Sequence, residues 1–400
     1  MQFPLYIAKR YFFSRKTHNV INIISAISML GIAIGSFALI VVLSAFNGLQ
    51  DLVQDMYSRF DSDIRITAAE GKTFALEELP LNQIHAIDEL QYSTRVLEEN
   101  VLMKYKDKQS IATIKGVDND FLLMSSLDSV MIDGDLLLHF DSIPAAILGY
   151  GIASDLAVYV NGFDAIRVYA AKRGMNTSFS PEKAFNISNI LPAGVFSINP
   201  DFDDKYVLVP FEFAAGLLQY KNRVTAIEIG LKPGSVVNEV KAKIAKLAGS
   251  AFEVKTRYER NELIFKTNRI EKWVTFLILT FILIIATFNV ISSLTMLIID
   301  KKEDIYILKG MGAGKTLIRG IFLWEGILIN FTGGMIGMLV GALLCWGQQT
   351  IGFIRLHGTV VEYYPVQMNP LDFIAVLTIV MSIGFLSSWL PVRYLTRKYF

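Results

Sequence analysis

The sequence contains little cysteine, little histidine and few charged residues. Cys345 is the only cysteine, so a secreted domain held together by disulfides is excluded. The histidines His18, His85, His139 and His357 are far apart along the chain, which argues against a metal site. The net charge is +1, and without a basic excess a nucleic-acid partner is not expected.

The low net charge is the sum of two regions with opposite charge. Residues 48–270 carry 24 Lys and Arg and 30 Asp and Glu, whereas the rest of the chain carries 14 and 7. Hydrophobic residues make up 52% of the whole chain, above the roughly 45–50% of soluble domains. These figures predict a membrane-embedded part and an acidic domain outside the lipid.

Four apolar runs are long enough for helices that cross a bilayer, which takes about 20 residues. The predicted transmembrane helices are 20–46, 273–299, 320–348 and 371–391. The first run is too long for the apolar part of a cleaved signal peptide, so it is expected to remain as an anchor.

The distribution of Lys and Arg predicts the orientation. These residues are concentrated in the N-terminal segment 1–19, the loop 300–319 and the tail 392–400, and they mark the cytoplasmic side. The domain 47–270 and the loop 349–370 are then expected on the opposite side. Segment 1–19 mixes aromatic and basic residues, which predicts either a helix on the inner membrane surface or an extension of the first span.

The domain 47–270 combines patterns of strands and helices. Among others, alternating residues at 110–117 and 225–231 predict strands, and helical spacing is found at 81–90, 211–219 and 236–247. The predicted fold is therefore an α-helical membrane protein with four transmembrane helices and a large α+β domain inserted between helices 1 and 2. Within this domain we expect an inserted subdomain at about 119–206 and a helical stalk at 258–272.

The glycine-rich segment Gly310–Thr316 superficially looks like a phosphate-binding loop. Position 309 is Lys where that motif requires glycine, and no buried strand precedes the segment. The sequence also shows no convergent Ser/His/Asp or metal constellation. The chain is therefore expected to be no enzyme, and any ATP is expected on a separate subunit.

The same loop contains a short amphipathic pattern at 301–312. Ile305, Ile307, Leu308 and Met311 are its apolar positions, and Glu303 and Asp304 precede them, where the helix dipole favours acids. A short helix between two spans is predicted to dock a cytoplasmic partner; the alternative is a simple interfacial turn.

Small and polar residues interrupt the apolar runs. Gly31 and Gly35, and Gly333, Gly337 and Gly341, recur at helical spacing and predict close helix packing. Glu325 and Asn289 are candidate functional groups, although Glu325 lies near a helix end and could reach the interface.

One segment of the outer domain, 169–183, has neither helical nor alternating spacing. It contains Lys172, Arg173, Met175, Phe179 and Pro181. It is predicted to be either a protruding hairpin that grips a partner or a solvated turn.

Several stretches resemble the permease subunits of type VII ABC transporters, the FtsX/MacB-like group. They are Glu303–Ala313, Leu317–Phe322 and the glycines of the third span. Three further stretches resemble the lipoprotein-releasing subunits LolC and LolE, namely Asn22–Gly48, Phe288–Leu294 and Met296–Lys302.

This resemblance implies a permease subunit of the cell inner membrane that extracts lipoproteins and passes them to a periplasmic carrier by mechanotransmission. The implied partners are two copies of an ABC ATPase subunit, a second permease subunit of the same or a different kind, an acylated lipoprotein, the carrier and membrane lipids. The chain itself would hold no cofactor, because ATP and Mg would be bound by the ATPase.

The resemblance also implies roles for residues. Phe46 and Asn47 fall where the family lines a substrate cavity, and residues 170–181 fall where the carrier-binding subunit has its hook, which includes Lys172, Arg173, Met175, Phe179 and Pro181 here. The implied ATPase-docking helix contains Glu303, Asp304, Ile305, Tyr306, Leu308, Lys309 and Gly310.

Two other functions stay open at this point. A MacB-like efflux permease usually carries its ATPase in front of the first span, whereas here 19 residues precede it. An FtsX-like transmembrane signal transducer moves no substrate and tends to have a smaller outer domain.

Overall fold

The structure is a computed structural model and describes residues 3–13, 19–160, 162, 164–172, 184–356 and 362–399. Its α-helices are α1 Phe3–Phe13, α2 Asn19–Phe60, α3 Leu81–His85, α4 Asn119–Met124, α5 Tyr150–Leu156, α6 Pro200–Asp203, α7 Phe211–Leu218, α8 Val237–Ala248, α9 Arg257–Arg260, α10 Glu262–Asp300, α11 Lys302–Gly310, α12 Lys315–Ile351 and α13 Pro370–Tyr399.

The strands all lie between α2 and α9. They are β1 Ile64–Ala68, β2 Phe74–Ala75, β3 Leu90–Tyr105, β4 Lys108–Val117, β5 Met131–Gly134, β6 His139–Phe140, β7 Ile143–Gly149, β8 Ile166–Ala171, β9 Phe185–Phe196, β10 Tyr206–Pro210, β11 Arg223–Val224, β12 Ala226–Leu231 and β13 Phe252–Thr256. Two 3-10 turns, Leu76–Glu78 and Leu127–Val130, complete this part of the chain.

The described residues divide into two compact units. The membrane unit comprises residues up to 52, from 264 to 356 and from 362 onward, and the sheet unit comprises residues 53 to 263. Four helices are long and apolar enough to cross a membrane: Ile23–Phe60, Glu262–Asp300, Lys315–Ile351 and Pro370–Leu395. The prediction of four transmembrane helices with an α+β domain after the first is confirmed.

All four helices extend beyond their apolar runs, and the first two do so by the largest margin. The first was expected to end at 46 and ends at Phe60, and the second was expected to begin at 273 and begins at Glu262. The predicted stalk over 258–272 corresponds to α9 and the first residues of α10. Hydropathy detects only residues that suit lipid, whereas a helix continues for as long as its backbone hydrogen bonds are satisfied.

The core of the membrane unit is formed by α2, α10, α12 and α13. Ile32 and Leu39 of α2 pack with Leu283, Ile329 and Val380 of the other three helices. For the N-terminal segment the structure describes a helix, α1, over Phe3–Phe13, which packs along α12.

The glycines of the spans lie at helix contacts in the structure. A Cβ at Gly333 would lie 2.7 Å from the Met29 carbonyl oxygen, and a Cβ at Gly337 would overlap the Ala33 carbonyl oxygen. A Cβ at Gly341 would lie 3.2 Å from the side chain of Ile40, so the three glycines lie where α12 packs closely against α2. Gly31 and Gly35 lie on α2 opposite Ala286 and Leu283 of α10.

The sheet unit is organised around one large sheet with strand order β13-β1-β12-β3-β4-β10-β7-β9-β5. Strand β8 pairs with both β3 and β9. The pairs β3–β4, β4–β10, β10–β7, β7–β9, β9–β8 and β8–β3 therefore close into a ring. Met103, Ile114, Ile190, Val168 and Val207, from five of these strands, belong to one buried core, as expected of a filled small barrel.

The stretch 119–206, predicted to be an inserted subdomain, contributes β7, β8 and β9 to this ring. Its strands are hydrogen-bonded to β3 and β10 rather than forming a sheet of their own. The boundary of that subdomain stays a prediction.

Candidate functional site

The short helix α11 turns one apolar side inward. Ile305 is buried, and it packs in a cluster with Leu297 of α10, Ile318 and Phe322 of α12 and Val392 of α13. Leu308 is half-buried and packs against the same cluster. Two of the predicted docking residues therefore hold α11 to the membrane helices.

A second apolar face of α11 points away from the rest of the membrane unit. Tyr306, Ile307 and the adjoining Met311 are 58%, 60% and 70% exposed. We call these three residues the outer face of α11. Glu303, Lys309 and Gly310 are also exposed. Exposed large apolar side chains grouped on one short helix are typical of a surface that contacts another protein or a membrane.

The remaining predicted docking residue, Asp304, is held by neighbouring elements. The Tyr11 hydroxyl of α1 donates to its Oδ2 at 3.1 Å, and Lys301 Nζ lies 3.7 Å from the same oxygen. Asp304 therefore fixes α1 beside α11.

At the other end of the membrane unit, Asn47 connects three elements. Lys272 Nζ donates to its Oδ1 at 2.5 Å, and its Nδ2 donates to Asp372 Oδ2 at 2.6 Å and to the Gln367 carbonyl at 3.3 Å. Asn47 is buried, whereas Phe46 is half-buried. Lys272 and Asp372 stand at the borders of apolar runs in the sequence. That position is the sequence signal that could have identified them as polar partners at the end of the membrane helices.

An amphipathic cavity of about 440 Å³ lies beside this polar group. Its lining includes Leu43, Phe276 and Ala375 on the apolar side. Gln50, Arg269, Lys272, Trp273 and Asp372 complete the lining. Leu43 and Gln50 flank the predicted cavity residues Phe46 and Asn47 in α2. A cavity with one apolar and one charged side suits an amphiphile such as a lipid.

Polar groups also lie within the membrane-crossing helices. Glu325 is 2% exposed, so it does not reach the surface, and its Oε2 has no hydrogen-bond partner among the described residues. Asn330 is buried too and donates to the Gly326 carbonyl at 2.7 Å. Asn289 is exposed, and its backbone carbonyl accepts a hydrogen bond from the Ser28 hydroxyl at 2.9 Å.

The predicted hook lies mostly outside the described residues. Arg173, Met175, Phe179 and Pro181 fall in the stretch 173–183, which the structure does not describe. Lys172 is described, and its backbone N–H donates to the Ala184 carbonyl at 2.7 Å, next to the paired strands β8 and β9.

A group of buried charges, which the sequence reading missed, lies in the sheet unit. Lys115 Nζ is 3.0 Å from Glu228 Oε2, and the two residues are 1% and 0% exposed. Arg65 lies 3.2 Å and Arg260 3.4 Å from Glu228 Oε1. Lys115 also lies over the rings of Phe60 and Phe121, at 4.6 and 4.3 Å.

Glu98 belongs to the same group of charges through Arg65, with Arg65 Nη2 2.8 Å from Glu98 Oε2. Burial acts to raise the pKa of Glu98, but the positive charges of Arg65 and Lys115 outweigh it and lower this pKa to about 2. The carboxylate is therefore kept ionised.

The described residues contain no group of three or more His, Cys, Asp or Glu side chains that would hold a metal ion. The glycine-rich segment 310–316 connects α11 with α12, and Gly314 is the N-cap of α12. A helix, not a buried strand, precedes it, which does not fit a phosphate-binding loop.

Two protein-family models together match almost the whole chain. The MacB-like periplasmic core domain matches residues 25–247, and the FtsX-like permease C-terminal domain matches residues 276–400. The chain belongs to the family of MacB- and FtsX-like ABC transporter permeases. The resemblance to this family, and within it to LolC and LolE, is confirmed, and the sheet unit corresponds to the periplasmic domain.

Two known relatives can be aligned with this chain over nearly the full length of both proteins. The lipoprotein-releasing system transmembrane protein LolC of Buchnera aphidicola (Schizaphis graminum) is 26% identical, over 98% of this chain and 95% of the relative. LolE of Haemophilus influenzae is 23% identical, over 98% and 96%. Among solved structures, the periplasmic region of MacB from Actinobacillus actinomycetemcomitans is 12% identical with a TM-score of 0.37, covering 54% of this chain and 97% of that one.

Proposed function

We propose that this chain is the permease subunit of an ATP-driven transporter that extracts lipoproteins from the inner membrane and hands them to a periplasmic carrier. The observation that carries the proposal is the exposed outer face of α11, located between two membrane-crossing helices. A chain without a phosphate-binding loop needs a separate ATPase. One copy of that ATPase would dock on this face of each of the two permease subunits, so the transporter would contain two copies. The relatives named for lipoprotein release supply the class of cargo.

The contacts of α11 suggest how movement of the ATPase would reach the membrane. Ile305 packs against Leu297 of α10 and against Ile318 and Phe322 of α12. A force applied to the outer face is therefore transmitted by close-packed side chains to both helices. This is the residue-level basis that we propose for mechanotransmission.

The amphipathic cavity fits the lipid part of such a cargo. Leu43, Phe276 and Ala375 offer apolar surface to acyl chains, and Lys272 and Arg269 lie at its charged side. Each CH₂ group withdrawn from lipid costs about 0.8 kcal/mol, so several acyl chains do not leave the bilayer without an energy source. ATP hydrolysis by the partner supplies it.

The docking face is tested with Ile307→Asp in the complete transporter. Burying an isoleucine at an interface contributes about 1.5–3 kcal/mol, so its replacement by Asp is expected to weaken the ATPase contact at least about tenfold. Co-purification of the ATPase and ATP-dependent release of a labelled lipoprotein from proteoliposomes are both measured, and both are expected to fall together.

Thr316→Asp is the matched control, because Thr316 is exposed in the first turn of α12, close to α11 in sequence, and the change in charge is identical. It is expected to leave both measurements unchanged. Normal ATPase binding by Ile307→Asp would refute the docking face. If ATPase binding is lost while lipoproteins still leave the membrane normally, the chain is a signal transducer or an efflux permease instead.

A further inference from the structure

The sheet unit contains a groove of about 580 Å³ that has no role in the sites described so far. It lies beside β5, and its lining includes Met131, Ile132, Tyr150, Ile198, Asp203 and Asp204. This volume is within the range of about 300–1,000 Å³ that is usual for binding sites. Ile132 and Tyr150 are each 54% exposed, so two large apolar side chains are left uncovered by the described residues.

The charge of the groove is negative. Among the described residues, the charged side chains in the lining are Asp203 and Asp204. Arg59 donates to Oγ of the lining residue Ser129 at 2.5 Å, but its guanidinium is paired with Asp55 at 2.7 Å. The two oxygens of Asp203 accept from Ser197 Oγ and the Ile198 N–H, each at 2.8 Å, which fixes this carboxyl group. Asp204 is exposed at the rim. Phosphate-bearing lipid head groups are repelled by such a site, whereas an apolar side chain next to a cation is complementary to it.

The backbone beside the groove is the end of the sheet. β5 is the last strand in the order, and among the described strands it pairs only with β9. The register shifts between Met131 and Asp133, so Ile132 is a bulged residue. An edge strand next to a groove accommodates an extended peptide, whose side chains then enter the groove.

We propose that this groove binds the polypeptide of the lipoprotein cargo, as an extended segment with an aliphatic residue beside Lys or Arg. The proposal rests on the proposed function, because that function supplies a cargo with both a lipid and a peptide part. The lipid part requires the amphipathic cavity of the membrane unit. The peptide part requires apolar contact, hydrogen-bonding partners and a complementary charge, which Ile132, Tyr150 and Asp204 offer.

The test uses the complete transporter in proteoliposomes and two probe lipoproteins with linkers of equal length after the acylated cysteine. One linker repeats Ser-Leu-Lys and the other repeats Ser-Gly-Asp. A photocrosslinking amino acid is placed at Ile132, with a control at Ile111, which is 72% exposed on β4 and outside the groove lining. Several-fold more crosslinking of the Leu/Lys linker at 132 than at 111, and little of the Asp linker, is expected.

Asp204→Lys gives an independent measurement. It is expected to reduce release of the Leu/Lys cargo about threefold and to raise release of the Asp cargo, as reversal of an exposed charge contact requires. Equal crosslinking at both positions, or an equal effect of Asp204→Lys on both cargoes, would overturn the groove proposal. In those cases ATP-dependent release of both cargoes continues. The result would therefore refute the groove proposal without refuting the proposed function.

Discussion

Lys115 is the one charged residue in the buried part of β4, Ala112–Val117, and its burial determines what it contributes to stability. It is 1% exposed and faces Glu228, which is 0% exposed. Removing one partner of such a pair leaves an uncompensated buried charge, which typically costs about 3–5 kcal/mol. Arg65 and Arg260 also contact Glu228, which places the expected loss at the lower end of that range.

Lys115→Met is therefore expected to destabilise the protein by about 3 kcal/mol. Met retains the apolar contact with Phe60 and Phe121, so the loss reports the charge. The measurement is the thermal unfolding of the full chain in detergent.

Lys106→Met is the control, since Lys106 pairs with Asp164 at 3.0 Å while both side chains are about 60% exposed. A loss below about 1 kcal/mol is expected for this exposed pair. Equal losses for the two variants would show that the buried pair contributes no more than a surface pair.

The buried charges left a signal in the sequence, although it did not enter the prediction. Lys115 interrupts Ile111–Val117 and Glu228 interrupts Ala226–Leu231, each a lone charge in an apolar strand. Such a residue must find a partner inside the protein. Which partner it finds depends on the pairing of β3 with both β4 and β12, and the resulting contact between Lys115 and Glu228 joins residues 113 positions apart.

At the level of elements, local patterns predicted much of the fold. The strand expected at 110–117 is β4, Lys108–Val117, and the helix expected at 236–247 is α8, Val237–Ala248. Strand β9 was missed, because it contains Pro192 and several polar residues, and its extended form depends on pairing with β7 and β8. The helix expected at 81–90 ends at His85, since β3 begins at Leu90.

The same limit applies to α11. Its apolar positions were visible in the sequence, but their division into an inward and an outward face was not. Ile305 is inside and Ile307 outside because α10 and α12 cover only one side of the helix. Periodicity shows that a helix has apolar positions, and only its neighbours show which of them remain open.

The glycine contacts give a prediction for one helix pair. At Gly337 of α12 a Cβ would overlap the Ala33 carbonyl oxygen, which is backbone and cannot rotate away. Gly337→Ala is therefore expected to separate α2 from α12 and destabilise the membrane unit by about 1–3 kcal/mol, the usual cost of overpacking. The midpoint of thermal unfolding in detergent measures it.

Gly31→Ala is the control for Gly337→Ala, because a Cβ at Gly31 would lie 3.7 Å from Ala286, an ordinary van der Waals distance. Replacing this glycine within a helix is expected to be neutral or stabilising by up to about 1 kcal/mol. The idea that α12 glycines set the helix distance is wrong if the two alanine variants behave alike.

For the whole molecule, the distribution of charge predicts an orientation in the membrane. Lys and Arg are concentrated in the segments at both termini and in the loop around α11, and residues 48–270 carry an acidic excess. The positive-inside rule then predicts cytoplasmic termini, a cytoplasmic α11 and a periplasmic sheet unit. The proposed function requires this arrangement, because ATP is cytoplasmic while the carrier is periplasmic.

Single cysteines in a Cys345→Ala background test this orientation with a thiol reagent that does not cross membranes. Lys221→Cys in the sheet unit and Thr316→Cys near α11 are both exposed. With the inner membrane intact and its outer surface accessible, Lys221→Cys is expected to react and Thr316→Cys is not. Both should react after permeabilisation, which controls for accessibility. The reverse pattern would place α11 on the periplasmic side, where a cytoplasmic ATPase could not act on it, and would refute the orientation and the proposed function together.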